Sequence, residues 1–362
     1  MIAPKLTAIF LSLACLALSA CTKEDPGLTL SPLALVEKDG YWLTKDLMDR
    51  EIALVPKNQP IPDEVTEKFK PTAIVRTPVE KVIVASGTYD PGLIFGLGAG
   101  DCIIGTTDPK ESWYLPGMQE LFKEGKVKFI GLYNAIDLES IVTLKPDLIL
   151  VSSMTSYSHL EYLGFPLVAT YSDYRSDIEN QLELMDFIAS FFDKRDLVAE
   201  KLSKIRQTFV EIEEKAKYHP KPKLTWGVYY GKRVFTLSKN FWLTEILNLA
   251  GADYVFNDIE FDNRDFSLEE FITRSRDADI FFANPLTEAA AIAKEDMTKW
   301  HEDLLELKPF TGKGTVALTE PILWQDPWNL DEIALDMAAL IHPELYPGRT
   351  LKYVRILKEG ED

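Results

Sequence analysis

From Val79 the chain alternates short apolar runs with helical ones, stops alternating between Asp177 and Lys217, and then resumes. No other feature constrains the fold as much. "VEKVIVAS" reads as a strand, "DPGLIFGLGAG" as a helix closed by glycines, and "CIIGTT" as a second strand. "VKFIG", a helix opening at "LESIVTLK", "DLILVSS" and "PLVATY" follow. Strands and helices alternating at this pace call for a parallel sheet with helices on both faces. In the interruption, Leu197, Leu202, Ile205, Phe209 and Ile212 fall at helical spacing. They predict one helix of about 20 residues, roughly 30 Å long, ending at His219-Pro220. "KLTWGVYY", "NFWLTEILNLAG", "YVF", "DIFFAN", "GTVALTE" and a last helix through "DEIALDMAALIHPEL" then restore the alternation. The fold class expected is α/β, with two doubly wound, Rossmann-like lobes joined by a single long helix and a ligand cleft between them. The expected segments are 79–176 for the first lobe, 177–219 for the helical part and 220–362 for the second lobe.

The first residues predict an address. "MIAPKLTAIFLSLACLALSAC" carries one positive charge, Lys5, then an apolar run too short to span a membrane. Residues 1–20 read as a secretory signal. Leu18-Ser19-Ala20-Cys21 resembles a bacterial lipobox, in which Cys21 is acylated and anchors the mature protein to the membrane. Residues 21–78 are rich in Pro, Lys and Glu and read as a tether and N-terminal extension, with a short β-hairpin around "YWLTKDLMDREIALVP". Of three cysteines only Cys102 remains after the signal and the anchor, so no intrachain disulfide framework is expected. A formal charge of −18 disfavours nucleic acid and anionic lipid as partners.

Several enzyme classes find no support. "GLGAGD" (Gly96 to Asp101) ends a helix instead of opening one and has Asp where a dinucleotide fingerprint needs its last glycine. There is no P-loop and no G-x-S-x-G, and no nucleophile–base pair has a recognisable spacing. The four histidines, His159, His219, His301 and His342, do not fall at zinc-ligand spacing. His219 and His342 precede proline at helix ends and read as capping or packing residues. His159 follows a strand, where it would be able to approach a ligand.

One grammar occurs twice. "DLESIVTLKPDLIL" begins at Asp137 and "SLEEFITRSRDADIF" at Ser267; each has a capping residue, Leu, Glu, an apolar helix face and then a strand. Asp137 and Ser267 are good N-caps and put Glu139 and Glu269 in a first helical turn beside solvent. Taken singly, such a glutamate is explained by the helix dipole.

Together with "VEKVIVASGTYDPGLIFGLGAGDCIIGTT", "FWLTEILNLAGADYVF" and "IHPELYPGRTLKY", these stretches resemble the helical-hinge class of substrate-binding lipoproteins. Members of that class feed ABC importers for iron–siderophore, haem or cobalamin. The resemblance covers most of residues 79–352. It implies a monomeric, lipid-anchored extracytoplasmic carrier with no catalytic role and no covalent cofactor. It also implies a partnership with a permease dimer and its ATPase, and docking through Glu139 on one lobe and Glu269 on the other. The extension before Val79 is longer than the class usually shows.

Ligands of open α/β sheets lie beyond the carboxyl ends of the strands. The candidates there are Tyr89, Ser152 and Ser153 from the first lobe. The second lobe offers Tyr229, Tyr230, Lys232, Arg233, Asn263, Arg264, Trp324 and Asp326. By resemblance, Tyr133 and Tyr229 stand at aromatic wall positions, with Trp324 near them, and basic residues grip anionic chelates. A bare metal ion is not expected, because histidine is scarce. An iron site of Tyr229, Tyr230 and Asp326 ranks below an organic chelate. The expected cargo is an iron complex of siderophore type, with cobalamin or haem as the alternative.

Overall fold

The computed structural model describes residues 32–153, 158–171, 177–230, 232–284 and 302–357. The expected signal and Cys21 lie outside the described residues.

The N-terminal extension departs from expectation. Instead of a tether with one hairpin, it builds a four-stranded sheet in the order β1-β2-β3-β4, from Val36–Lys38, Tyr41–Lys45, Glu51–Pro56 and Ala73–Thr77. The β2–β3 hairpin is the one expected, and β4 then adds in parallel to β3. Ile52, Ala53, Leu54 and Val55 are all buried, and Ile52 and Leu54 belong to the same hydrophobic core as Val82 and Leu93 of the first lobe. The sheet's hairpin turn is fastened to the first lobe through Asp46, as described below.

The first lobe holds five parallel strands: β5 (Val82–Ala85), β6 (Ile103–Thr106), β7 (Lys128–Phe129), β8 (Leu148–Ser152) and β9 (Leu167–Tyr171). Their order is β7-β6-β5-β8-β9. The chain winds outward from β5 in one direction, then crosses to β8 and winds in the other. The switch between β5 and β8 opens a crevice at their carboxyl ends. Helices α1 (Asp90–Gly96), α2 (Pro116–Lys123), α3 (Leu138–Leu144) and α4 (Ser158–Glu161) connect the strands.

Helices α5 (Ile178–Phe191) and α6 (Arg195–Ala216) form the interruption. Twenty-two residues make α6 about 33 Å long. Its buried stripe is Val198, Ile205, Phe209, Ile212 and Ala216. Leu197, expected in that stripe, is 41 % exposed and Val198 takes its place. The spacing from Val198 to Ile205 and Phe209 is the truer helical repeat.

The second lobe's sheet is mixed, not purely parallel. Its strands are β10 (Lys223–Tyr230), β11 (Arg233–Phe235), β12 (Asp253–Tyr254), β13 (Asp265–Ser267), β14 (Ile280–Ala283), β15 (Thr315–Thr319) and β16 (Val354–Ile356). The order is β13-β11-β10-β14-β15-β16, with β12 also on β10. β10, β14 and β15 run parallel, while β11, β13 and β16 run against their neighbours at the two flanks. β10–β11 is a tight hairpin, and a hairpin can only return antiparallel. Helices α7 (Trp242–Leu249) and α8 (Leu268–Ser275), with the C-terminal helix Leu330–Ile341, cover this sheet. Its switch point lies between β10 and β14.

Candidate functional site

Both switch points carry predicted residues. Ser152 ends β8 and Ser153 follows it, half-buried. Tyr229 and Tyr230 end β10. Of Tyr230 only the backbone is described, and part of the "SSMTSYSH" stretch lies outside the described residues. His159 sits exposed on α4.

Just past the end of β5, at the start of α1, lies a sealed carboxyl. Asp90 is 1 % exposed and accepts hydrogen bonds from the hydroxyls of Ser86 and Thr170. Burial pushes its carboxyl above the usual carboxylate range, against the opposing pull of those two hydroxyls. It ties β5 to β9, the edge strand. Next to it, Tyr89 donates its hydroxyl to Gln181 Oε1 in the first turn of α5.

That same turn is held from the other lobe. Glu245 on α7 accepts a 2.8 Å hydrogen bond from the Ile178 amide, while the Asp177 side chain caps the turn by accepting from Asn180 N at 2.8 Å. The start of α5 is thus where both lobes are fastened. Gln181 and Glu245 were not among the predicted residues; no local motif marks them, because each matters only through a partner far away in sequence.

Tyr133 lies in an exposed loop. The loop after β7 is closed by Asp137 N donating to Ile130 O at 2.8 Å, and its tip presents Leu132 and Tyr133, 49 % and 57 % exposed. Gly131, at φ 89°, makes the loop possible: a Cβ there would overlap the Ala135 carbonyl.

Other predicted residues have structural engagements. Tyr229 packs its ring 5.7 Å from Phe271 and 5.9 Å from Phe281, and burial raises its hydroxyl well above the usual phenol range. Asp326 is a buried post, accepting from Lys352 Nζ at 2.8 Å, Tyr353 Oη at 2.7 Å and Asn329 Nδ2 at 2.8 Å. That engagement speaks against Asp326 as an open iron ligand. Among the described residues no cluster of three or more His, Cys, Asp or Glu is arranged to hold a metal ion. Arg233 pairs with Asp265 at 2.7 Å, and Arg264 stacks its guanidinium 3.7 Å from the Phe261 ring centre and 4.3 Å from that of Phe235. Lys232 and Asn263 are exposed on the same flank. Trp324 is half-buried in an aromatic group with Trp226, Phe241 and Trp242, at 6.4, 6.4 and 5.8 Å. Its indole N–H and that of Trp226 are buried with no hydrogen-bond partner among the described residues.

The lobes meet through a close contact. Gly92 of α1 lies against the Gln325 carbonyl and Pro327, and Gly96 against the Trp328 ring, where no side chain would fit. The Gln325 side chain crosses the seam: Oε1 accepts from Tyr114 N at 2.8 Å and Leu115 N at 3.1 Å, and Nε2 donates to Ser112 O at 2.7 Å.

The two repeated helices have the caps expected of them. Asp137 accepts from Ser140 N at 3.1 Å and Ser267 from Glu270 N at 3.2 Å. Glu139 and Glu269 are exposed, and neither carboxylate enters an ion pair among the described residues.

Two α/β lobes, a long connecting helix and a seam held by Gln325 and Glu245 make up a two-lobed architecture. The chain belongs to the periplasmic binding protein family, whose model matches residues 82–304. It is 23 % identical over 326 residues to an uncharacterised lipoprotein of Methanocaldococcus jannaschii, covering 86 % of this chain and 77 % of that one. A vitamin B12-binding protein of Vibrio vulnificus is 25 % identical over 238 residues, 64 % of this chain and 80 % of its own. The petrobactin-binding protein of Bacillus subtilis shares the fold with a TM-score of 0.59 at 18 % identity, covering 85 % of this chain and 100 % of its own.

Proposed function

We propose that the protein is an extracytoplasmic solute-binding lipoprotein that captures an iron complex of siderophore type and delivers it to an ABC importer. On this reading Cys21 carries the lipid anchor in the cell envelope, and the protein acts as a monomer without covalent chemistry. The permease dimer meets Glu139 and Glu269. The observation that supports it most is the pairing of two switch points, Ser152–Ser153 on one sheet and Tyr229–Tyr230 on the other, within the family fold. Tyr89, Tyr133 and Trp324 are the rings proposed to touch the cargo. Lys232, Arg233, Asn263 and Arg264 form its polar flank.

A second reading, cobalamin, is favoured by the vitamin B12-binding relative, which matches 64 % of this chain. Haem is the third. An absorbance spectrum of protein purified from its native host separates them, because ferric siderophores, corrinoids and haem have distinct bands. A colourless protein whose melting temperature none of these chelates raises overturns the proposal, since saturating ligand stabilises by mass action.

A further inference from the structure

We infer that the N-terminal extension completes a second binding pocket, outside the cleft between the lobes, whose ligand is an uncharged saccharide. A cavity of about 740 Å³ lies between the extension and the turn that joins α5 to α6. Its walls include Trp42 of β2, Asn58 and Gln59 beyond β3, and Asp193 and Asp196 about the turn. Glu80, also on the wall, precedes the amino end of β5. The cavity therefore sits at the opposite end of the first-lobe sheet from the strand ends where an open α/β sheet receives its ligand. No described residue of the second lobe lines it.

The walls are fixed before any ligand arrives. The Arg76 guanidinium clamps the loop beyond β3, donating to Pro56 O at 2.8 Å, Lys57 O at 3.0 Å and Gln59 O at 2.6 Å. Lys57 N donates to Thr77 O at 2.7 Å. The Arg195 guanidinium stands 4.7 Å from the centre of the half-buried Trp42 ring and is itself held by Asp186 at 2.9 and 2.8 Å. A ring held this way loses little freedom when a ligand stacks on it.

The charges decide what enters. The wall carries Lys57 and Arg195 against Glu80, Asp193 and Asp196, with Asp147 and Asp186 behind the two cations. Lys57 is spent on Glu80 and Asp147, each 3.2 Å away, and Arg195 on Asp186, so an anion meets net repulsion. The Trp42 ring already carries a cation in Arg195. An apolar ligand would cover the carboxylates of Asp193 and Asp196 without satisfying them. Those carboxylates, the side-chain amides of Asn58 and Gln59 and the Trp42 indole N–H enter no hydrogen bond or ion pair among the described residues. Free acceptors and amides set around an aromatic ring suit a ligand with many hydroxyl groups and apolar C–H faces. A sugar ring has both.

The test uses the full chain and three probes: chitotriose and maltotriose as uncharged sugars, and trilysine as a cation of similar length. Titration calorimetry gives each Kd, and the Trp42 indole N–H resonance, assigned with Trp42→Phe, reports the place of binding. The expected result is that a sugar binds and moves that resonance. Trp42→Ala should weaken the binding roughly five- to tenfold. Should that variant fail to fold, Asn58→Ala/Asp196→Ala tests the same pocket, because both side chains are exposed and their loss should leave the melting temperature at the wild-type value. Binding of either sugar at Trp42 supports the proposal, and preference for chitotriose adds that acetamido groups are read. A sugar affinity lost in Tyr133→Ala and kept in the pocket variants overturns it. Tighter binding of trilysine than of either sugar overturns it too, as does a Trp42 resonance that neither sugar moves up to its solubility limit. Failure here leaves the carrier reading standing, because this pocket takes no part in it.

Discussion

The carboxylate of Glu245, on the second lobe, stands 2.8 Å from the amide of Ile178, the first residue of the helix that leaves the first lobe. Burial raises this carboxyl, and the neighbouring Asp177 and Glu179 push it further, against the lowering effect of the Ile178 amide. A raised carboxyl binds its proton more tightly in the folded protein than in the unfolded chain. Its contribution is therefore full below the unfolded value and is lost as pH rises through the folded one. Glu245→Gln keeps an acceptor for Ile178 and removes the charge. The variant should melt above wild type near pH 7.5, and the gap should close as pH falls below the ordinary glutamate range. A gap that widens on acidification would mean the carboxylate is stabilising in its charged form.

Gly92 tests how closely the lobes are seated. A methyl group there would overlap the Gln325 carbonyl and Pro327 Cδ, and both belong to backbone or a rigid ring. Gly92→Ala should cost about 1–3 kcal/mol, as overpacking does, and more if the seam cannot shift. Gly98→Ala has open space around it, but its φ of 70° is strained for alanine, so it is a poor control. Gly125, at φ 69°, fails for the same reason. Ala99→Gly, in the turn beyond α1, avoids both problems. Equal melting temperatures for Gly92→Ala and wild type would show that the seam is looser than its geometry.

Much of the fold was legible because strand and helix periods are local. The alternation after Val79, the break at Asp177 and the caps at Asp137 and Ser267 all follow from neighbours within a few residues. The extension was misread because its strands are short and interleaved with Pro and Lys, while the burial of Ile52 to Val55 depends on β4, well downstream. Asp326 looked like a ligand because nothing nearby announces Lys352 and Tyr353 as its partners. Tyr114 and Gln325 escaped notice for a related reason: each sits in an irregular loop, and their bond spans both lobes.

The extension should be integral to the fold, and Asp46 is where to ask. It is fully buried and accepts from Met48 N, Arg50 N, the Arg50 guanidinium and, across to the first lobe, Ala169 N at 3.0 Å. Leu47 N returns a bond to Ala169 O at 3.1 Å, so the hairpin turn covers the open edge of β9. Asp46→Ala removes the acceptor of the Met48, Arg50 and Ala169 amides and one of two carboxylate partners of the half-buried Arg50, which keeps Glu161 at 3.7 Å, and should cost about 1–3 kcal/mol. Urea denaturation gives the value directly. A loss below about 1 kcal/mol would class the extension as an appendage.

Glu139 and Glu269 are the reverse case, residues whose removal should leave the protein itself untouched. Both are exposed, both lie in a first helical turn, and neither is spent on an ion pair among the described residues. An exposed acid contributes little to stability, roughly 0–1 kcal/mol, but a pair fixed on two lobes sets register and encounter rate with a two-subunit partner. The double variant Glu139→Ala/Glu269→Ala should keep its melting temperature and its affinity for cargo while uptake in whole cells falls to background. Each single variant should retain part of the uptake, because one contact still guides the encounter. Weakened cargo binding in the double variant would place these acids in the ligand site. Unchanged uptake would return them to the helix dipole, which accounts for a glutamate at either position without any partner at all.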